Sequence, residues 1–280
     1  MPGLFYLDTT TLRNPYYNLA LEEAIALKLT SSIYSAGLRF WKNENTIVLG
    51  RSDSVSKNIK SELIHKYKKQ ILEKTQFPKL MKENGVPFIL RRASGGGTVF
   101  HSSDSNLNFS FFVSLKEKEE LYPVKDSYEI LLSLLIKALS RQGIVAFSGG
   151  KSDLVFKEES GLKKISGNAQ FRKKNCIVHH GTLILNRDFL PRIEENLSHP
   201  PEEPEYRQKR KHSEFISALP SNFRIERFKQ DLKELFFTYI GIKGEEILPF
   251  SRSFWREVIV QAEELLIQKY GNADFIFSIE

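Results

Sequence analysis

The chain has 280 residues, a formal net charge of +7, 41% hydrophobic and 12% aromatic residues, a composition that supports a buried core and excludes global disorder. A single cysteine, Cys176, excludes an internal disulfide and fits a reducing compartment. No basic-then-apolar leader opens the chain and no apolar run could cross a bilayer, so a cytoplasmic protein with no membrane partner is expected. The positive charge suits nucleic acid or an acidic protein equally. No zinc-finger spacing or continuous basic helix is present, and a nucleic-acid partner is not expected.

In chain order, Asn14-Pro15 reads as a helix cap with proline in the first turn. Tyr17, Leu21, Ala24, Ile25 and Leu29 continue the helix as one apolar stripe, with Glu22 and Glu23 on it. Leu38–Trp41 and Thr46–Leu49, separated by Asn43-Glu44-Asn45, read as a hairpin ending at Gly50-Arg51. Ile59 to Leu72 reads as a helix with Leu63, Tyr67 and Ile71 on one face, and Lys74 to Gly85 as a loop. Pro87–Leu90 is a short apolar strand, and Asn106–Phe111 alternates as a second. Asp126 with Glu129 resembles a capping box opening a helix that ends at Gly143. Strands are expected at Ile144–Phe147, Asp153–Lys157, Lys163–Ser166 and Cys176–Leu185, with a tight turn at Ser160-Gly161. A proline- and glutamate-rich shift at Leu197–Pro204 leads into a basic cluster, Tyr206–His212, read as a solvated loop. Two helices follow, through Phe228–Tyr239 and Ser253–Tyr270. Strands and helices in this order predict an α+β fold, a mixed sheet flanked by helices.

Two segments carry chemistry. Arg91-Arg92-Ala93-Ser94-Gly95-Gly96-Gly97-Thr98-Val99-Phe100-His101 places three contiguous glycines between strands. Their backbone N–H groups, unscreened by side chains, suit phosphate or carboxylate oxygens, and the arginines add fork-shaped donors. Contiguous glycines followed by a strand, without Gly-Lys-Ser/Thr, exclude both the Rossmann and the Walker geometries. Lys163-Lys164-Ile165-Ser166-Gly167-Asn168-Ala169 sets a lysine beside small residues, a point charge for a phosphate and for a developing acyl oxygen. His179 and His180 alternate across a strand, so at most one faces the site. Cys176 reads as a half-buried strand residue rather than a nucleophile.

These two segments, with His179-His180-Gly181-Thr182-Leu183-Ile184-Leu185, resemble the lipoate–protein ligase A family within the wider biotin and lipoate protein ligases. Asn18-Leu19-Ala20-x-Glu22-Glu23 and Val48-Leu49-Gly50-Arg51 extend the resemblance from Tyr17 to Asp188. It implies the biotin/lipoate protein ligase-like, class II synthetase-like catalytic domain. Lipoate or octanoate would be activated with ATP and Mg2+ to acyl-AMP, and the acyl group passed to a lysine of a lipoyl domain. Acceptors would be the lipoyl domains of 2-oxoacid dehydrogenase complexes or the H protein of glycine cleavage. The resemblance assigns nucleotide and acyl-AMP binding to Arg92, Ser94, Gly95, Gly96, Gly97, Thr98, Val99, Phe100, His101, Gly167, Ala169, His180, Gly181 and Thr182. Lys164 would contact both phosphate and acyl carbonyl, and Asp153 would lie near magnesium. Trp41, Phe109 and Phe111 are candidates for lining the acyl tunnel, where each buried methylene contributes roughly 0.8 kcal/mol.

The sequence departs from the family at Ser102–Asn106, one residue longer than its Asp-x-Gly-Asn, and at Ser152, where an asparagine is usual. The expected organisation is a catalytic core over 1–195 and a helical C-terminal part over 196–280. No C-terminal accessory domain is evident, so a separate accessory protein is a candidate partner. An octanoyl- or lipoyltransferase of the same fold is the rival reading. The cysteine-dependent branch places its nucleophile ahead of the lysine, and this chain has none there, which favours the ligase. Biotin ligation and a non-catalytic binding module are the remaining alternatives.

Overall fold

A parallel pair of strands cannot be joined by a tight turn, and the chain opens with such a pair. In the computed structural model, which describes residues 3–12, 14–72, 86–241 and 251–279, β1 (Gly3–Thr9) crosses through helix α1 (Pro15–Leu29) to lie parallel to β2 (Tyr34–Trp41). Antiparallel pairing then extends the sheet through β6 (Asn106–Ser114), β10 (Cys176–Ile184), β9 (Gly161–Lys173), β8 (Asp153–Glu158) and β7 (Phe147–Gly149), seven strands in that order. A second sheet sets β3 (Thr46–Leu49) between a parallel β4 (Phe88–Arg91) and an antiparallel β5 (Val99–His101). The architecture is α+β, a mixed sheet flanked by helices.

One face of the large sheet is covered by α4 (Val124–Ser140) and α7 (Ile225–Ile240). Phe109, Phe111, Leu131, Leu135, Phe228 and Phe236 form a core there, each large side chain stabilising by about 1.5–3 kcal/mol. The other face meets α1, the small sheet and α8 (Arg252–Leu265), through Phe5, Ile25, Val48, Phe112, Phe254 and Val258. Shorter helices α2 (Val55–Asn58), α3 (Ser61–Leu72), α5 (Leu190–Asn196), α6 (His212–Phe215) and α9 (Ala273–Ile276) fill the periphery. Among the described residues no helix is long and apolar enough to cross a membrane.

Several expectations are corrected. The segments over Leu38–Trp41 and Thr46–Leu49 do not form a hairpin: β2 and β3 belong to different sheets, because β2 finds its partners in β1 and β6. Helix α1 is buried on nearly all sides rather than along one stripe, since it lies between the two sheets and α8. The helix expected to open at an Asp126 box begins two residues earlier behind Pro123, with no side-chain cap. The strand expected at Ile144–Phe147 runs instead over Phe147–Gly149, at the sheet edge, where it pairs with β8. Helix α3 starts at Ser61, because Ile59 is bridged to Leu197. The loop expected over Lys74 to Gly85 lies outside the described residues. The Asn14 cap is as read, its side chain accepting from the backbone N–H groups of Tyr16 and Tyr17. The β8–β9 turn falls at Glu159-Ser160, closed by Gly161 at φ +106°.

Candidate active site

Residues paired across a sheet point to one side of it. Register therefore places two rows on the α1 face. Arg39, Ser110, His180 and Ala169 form one row; Trp41, Asn108, Thr182, Gly167 and Asp153 form the next. His179 points to the opposite face, where its Nδ1 meets Gln170 and its ring meets Tyr128, so the two histidines are divided as alternation requires.

The glycine loop reaches this face from the small sheet. Gly50 lets it approach: a Cβ there would sit 1.9 Å from the Gly96 carbonyl oxygen. Gly96 has φ +84°, and a Cβ on it would lie 3.8 Å from that of Ala169, which places the loop tip over β9. Gly95 and Gly97 face open space. Among the described residues, the N–H groups of Gly95, Gly96, Gly97 and Thr98 meet no backbone acceptor. They form an uncovered run of donors, the feature an oxyanion or phosphate requires.

Neither arginine before the loop extends into this opening. Arg91 gives its donors to the carbonyls of Gly50, Arg51, Asp53, Ile276 and Ile279. Arg92 Nε donates to Ser94 Oγ (2.8 Å), Nη1 to the Val48 carbonyl (3.1 Å), and Nη2 to the carbonyls of Gly95 (2.7 Å) and Gly97 (2.9 Å). It clamps the loop from beneath, its guanidinium lowered by burial to about 10, against the pull of Asp53. Thr98 Oγ1 and the Gly50 N–H both donate to Asp53 Oδ2, at 2.6 and 3.1 Å.

Buried polar residues of α1 tie the loop to the large sheet. Ser94 Oγ, which accepts from Arg92, also lies 2.7 Å from His180 Nε2. His180 Nδ1 lies 2.7 Å from Glu22 Oε2, and Glu22 Oε1 accepts from Ser110 Oγ at 2.5 Å, which in turn accepts from Trp41 Nε1 at 2.8 Å. Burial acts to raise the Glu22 carboxyl, but His180, Ser110 and Arg39 outweigh it and hold it below its ordinary value. A second chain runs from buried Arg39 through Asn18 and Asn43 to His101. Burial first, then Arg92 and His180, lower His101 to about 3, so it stays neutral and serves as a loop support. Sequence reading noted Glu22 only as part of a motif; its role depends on contacts 88 and 158 residues away in the chain.

Lys164 arrives by an irregularity. It is three residues from Gly167, an odd separation that strict alternation would turn to the opposite face. Between Leu154 and Val155 the register slips: Leu154 faces Ser166 and Val155 faces Lys164, leaving Ile165 unpaired. This bulge buries Ile165 in the α4–α7 core and returns Lys164 to the loop side. Its ammonium lies 2.8 Å from Asp153 Oδ1, and a Cβ on Gly167 would meet it at 3.0 Å. Ala169 under the loop and Gly167 under the lysine are two residues apart on β9, about 7 Å. That gap suits an acyl phosphate held between amides and ammonium.

Asp153 has a partner on each oxygen, the second accepting from Tyr206 Oη at 2.6 Å. No group of three or more His, Cys, Asp or Glu side chains that could hold a metal occurs among the described residues. A metal ion at Asp153 would have to share its oxygens with Lys164 and Tyr206 or displace one of them. Of the other predicted positions, Thr182 Oγ1 accepts from Asn106, whose Oδ1 closes the lengthened Ser102–Asn106 turn by accepting from the Ser102 N–H. Val99 is half-buried, while Phe100 turns away to stack on Phe189 at 5.4 Å. Gly181 faces the opposite side against Phe109 and Asn168. Trp41 is on the site face, but Phe109 and Phe111 are not: they pack into the α4–α7 core, because they fall on the odd face of β6.

Sequence reading missed two features. Asn108, 1% exposed between Trp41 and Thr182, has both amide atoms without a partner among the described residues. The segment from Tyr206 to His212, expected as a solvated loop, instead seats Tyr206 on Asp153 and buries Arg207.

Comparison with known proteins agrees with this fold. A bipartite lipoate protein ligase from Thermoplasma acidophilum, described with its E2 lipoyl domain, superposes with a TM-score of 0.73 at 21% identity, covering 100% of this chain and 98% of that one. A lipoate-protein ligase A bound with ATP gives 0.68 at 20% identity, with full coverage of both chains. P. falciparum LipL1 in complex with lipoate gives 0.62 at 16%, covering 100% of this chain and 75% of that one. At these identities the likeness shows the fold. The lipoyl protein ligase A/B catalytic domain model matches residues 14–237, most of the chain, and the protein therefore belongs to that family of enzymes.

Proposed function

We propose that the protein is an ATP-dependent lipoate–protein ligase that activates lipoate or octanoate as acyl-AMP and transfers it to a lysine of a lipoyl domain. The observation that carries this reading is Lys164, delivered by the β9 bulge beside the uncovered amides, in a chain with no usable thiol. Cys176 is the single cysteine and is fully buried, its thiol pushed far above its ordinary value by burial. A cysteine-dependent transferase would need the opposite.

In this mechanism the acid's carboxylate attacks the α-phosphorus and pyrophosphate leaves. The amine of an acceptor lysine then attacks the acyl carbonyl, AMP leaves with the electron pair, and the amine's proton passes to solvent. No enzyme nucleophile is required. The loop amides hold phosphate oxygens and Lys164 stabilises charge on the phosphate and on the acyl oxygen, with Lys164 Nζ and the amides fixed beforehand by the folded sheet. Asn108, whose amide atoms have no partner among the described residues, would supply polar atoms for the acid's head if the acid is seated beside Trp41. Magnesium accompanying ATP would bind chiefly through phosphate oxygens, with Asp153, paired with Lys164 and Tyr206, as the candidate carboxylate.

The likeness to the Thermoplasma enzyme supports E2 lipoyl domains as acceptors. The H protein of glycine cleavage presents the same lysine chemistry. That enzyme's bipartite description supports a second polypeptide as partner here. Dependence on ATP fits a cytoplasmic setting. The test is to incubate the protein with a lipoyl domain and lipoate, with and without Mg-ATP, and separately with octanoyl carrier protein, and to weigh the domain. Acylation only with ATP is expected. Acylation only from the carrier would make it a transferase, and none from either source, even with the second polypeptide supplied, a binding module.

A further inference from the structure

Lys164 is held by one carboxylate, and that carboxylate is held by a residue from another part of the chain. Tyr206 Oη donates to Asp153 Oδ2 at 2.6 Å while Lys164 Nζ pairs with Oδ1 at 2.8 Å. The tyrosine is itself fixed on several sides. A Cβ on Gly150 would meet its Cε1 at 3.2 Å and one on Gly149 its Cζ at 3.4 Å, so the ring rests on the β7–β8 turn. Its other flank meets the Phe215 ring at 5.2 Å. Arg210 bonds the Tyr206 carbonyl at 2.7 Å and the Leu162 carbonyl at 3.0 Å, stapling the segment to β9. Farther along the same segment the Ser217 N–H donates to the Lys164 carbonyl at 2.9 Å. One segment thus grips the lysine's backbone and, through Tyr206, its counter-ion. Burial and the neighbouring Asp153 push the phenol far above its ordinary value, so it remains a donor.

We propose that Tyr206 is a positioning residue: by donating to Asp153 it fixes the carboxylate that holds the Lys164 ammonium over Gly167, aimed at the glycine loop. It acts through Asp153 and touches neither reacting group. The kinetic consequence rests on the acyl-transfer reading above; the geometric consequence does not.

Tyr206→Phe keeps the ring on Gly149 and Gly150 and removes only the hydroxyl. In the lipoyl-domain assay its kcat should fall by about ten- to a hundredfold, as expected for a displaced charge. KM for the acid and for ATP should stay within about twofold, because the loop is untouched. A crystal structure of the variant should show Asp153 rotated and Lys164 displaced from Gly167. Wild-type kcat in the variant, with the Lys164–Asp153 pair unmoved, would overturn the proposal. A wild-type enzyme inactive with every donor would sink the acyl-transfer reading alone, and the variant's crystal structure would still decide the role of Tyr206.

Discussion

Lys164 and Arg92 look alike in the sequence, two cations beside small residues, but the folded chain employs them differently. Lys164 is partly exposed with a single carboxylate partner, so removing it should harm chemistry and spare the fold. Lys164→Ala is expected to lower acylation of a lipoyl domain by about 10²–10³-fold while its urea midpoint stays near wild type; retained activity would remove Lys164 from the mechanism. Arg92 serves three loop or strand carbonyls and Ser94, a set that an ammonium cannot span. Arg92→Lys should therefore cost about 1–3 kcal/mol of stability in the ligand-free protein, measured by denaturation. A residue that only bound nucleotide would leave that stability unchanged.

The loop, helix α1 and β9 illustrate how elements meet. Helix α1 presents Asn18, Glu22 and Glu23 inside the protein, each with partners on other elements. That explains why a helix with so many polar groups can be buried on nearly all sides. The loop crosses Gly50 with no room for a side chain. Gly50→Ala should push the Gly96 carbonyl aside and destabilise by about 1–3 kcal/mol, with weaker nucleotide binding by calorimetry. An unchanged melting temperature together with unchanged nucleotide affinity would show that the crossing is looser than the 1.9 Å approach implies.

Stability of the whole molecule should depend on acid in a defined window. His101 and His179 are both lowered to about 3, each chiefly by burial. Their folded values lie below the unfolded 6.5, so the unfolded chain takes up protons first as pH falls. The stability is fully present above 6.5 and is lost progressively from there towards 3, at roughly 1.4 kcal/mol per pH unit for each imidazole. Glu22, also lowered by its partners, adds its loss only below the ordinary carboxylate range. Denaturation at pH 7.5 and 5.5 checks this: equal stabilities would mean that the two rings are protonated in place. The sequence alone determined the α+β class, α1 with its Asn14 cap, the β8–β9 hairpin, strand β10 and the two chemistry-bearing segments, because capping, alternation and glycine content are local properties. It could not tell that Phe109 and Phe111 face away from the site, that β2 and β3 part into two sheets, or that Arg92 is a clamp. Those depend on which strands become neighbours. Lys164 is the clearest case: its identity was legible, but the side of the sheet it faces was decided by one unpaired residue, Ile165, and its aim by a tyrosine 42 positions onward. A bulge arises from pairing with a partner strand, and so leaves no local signal to read.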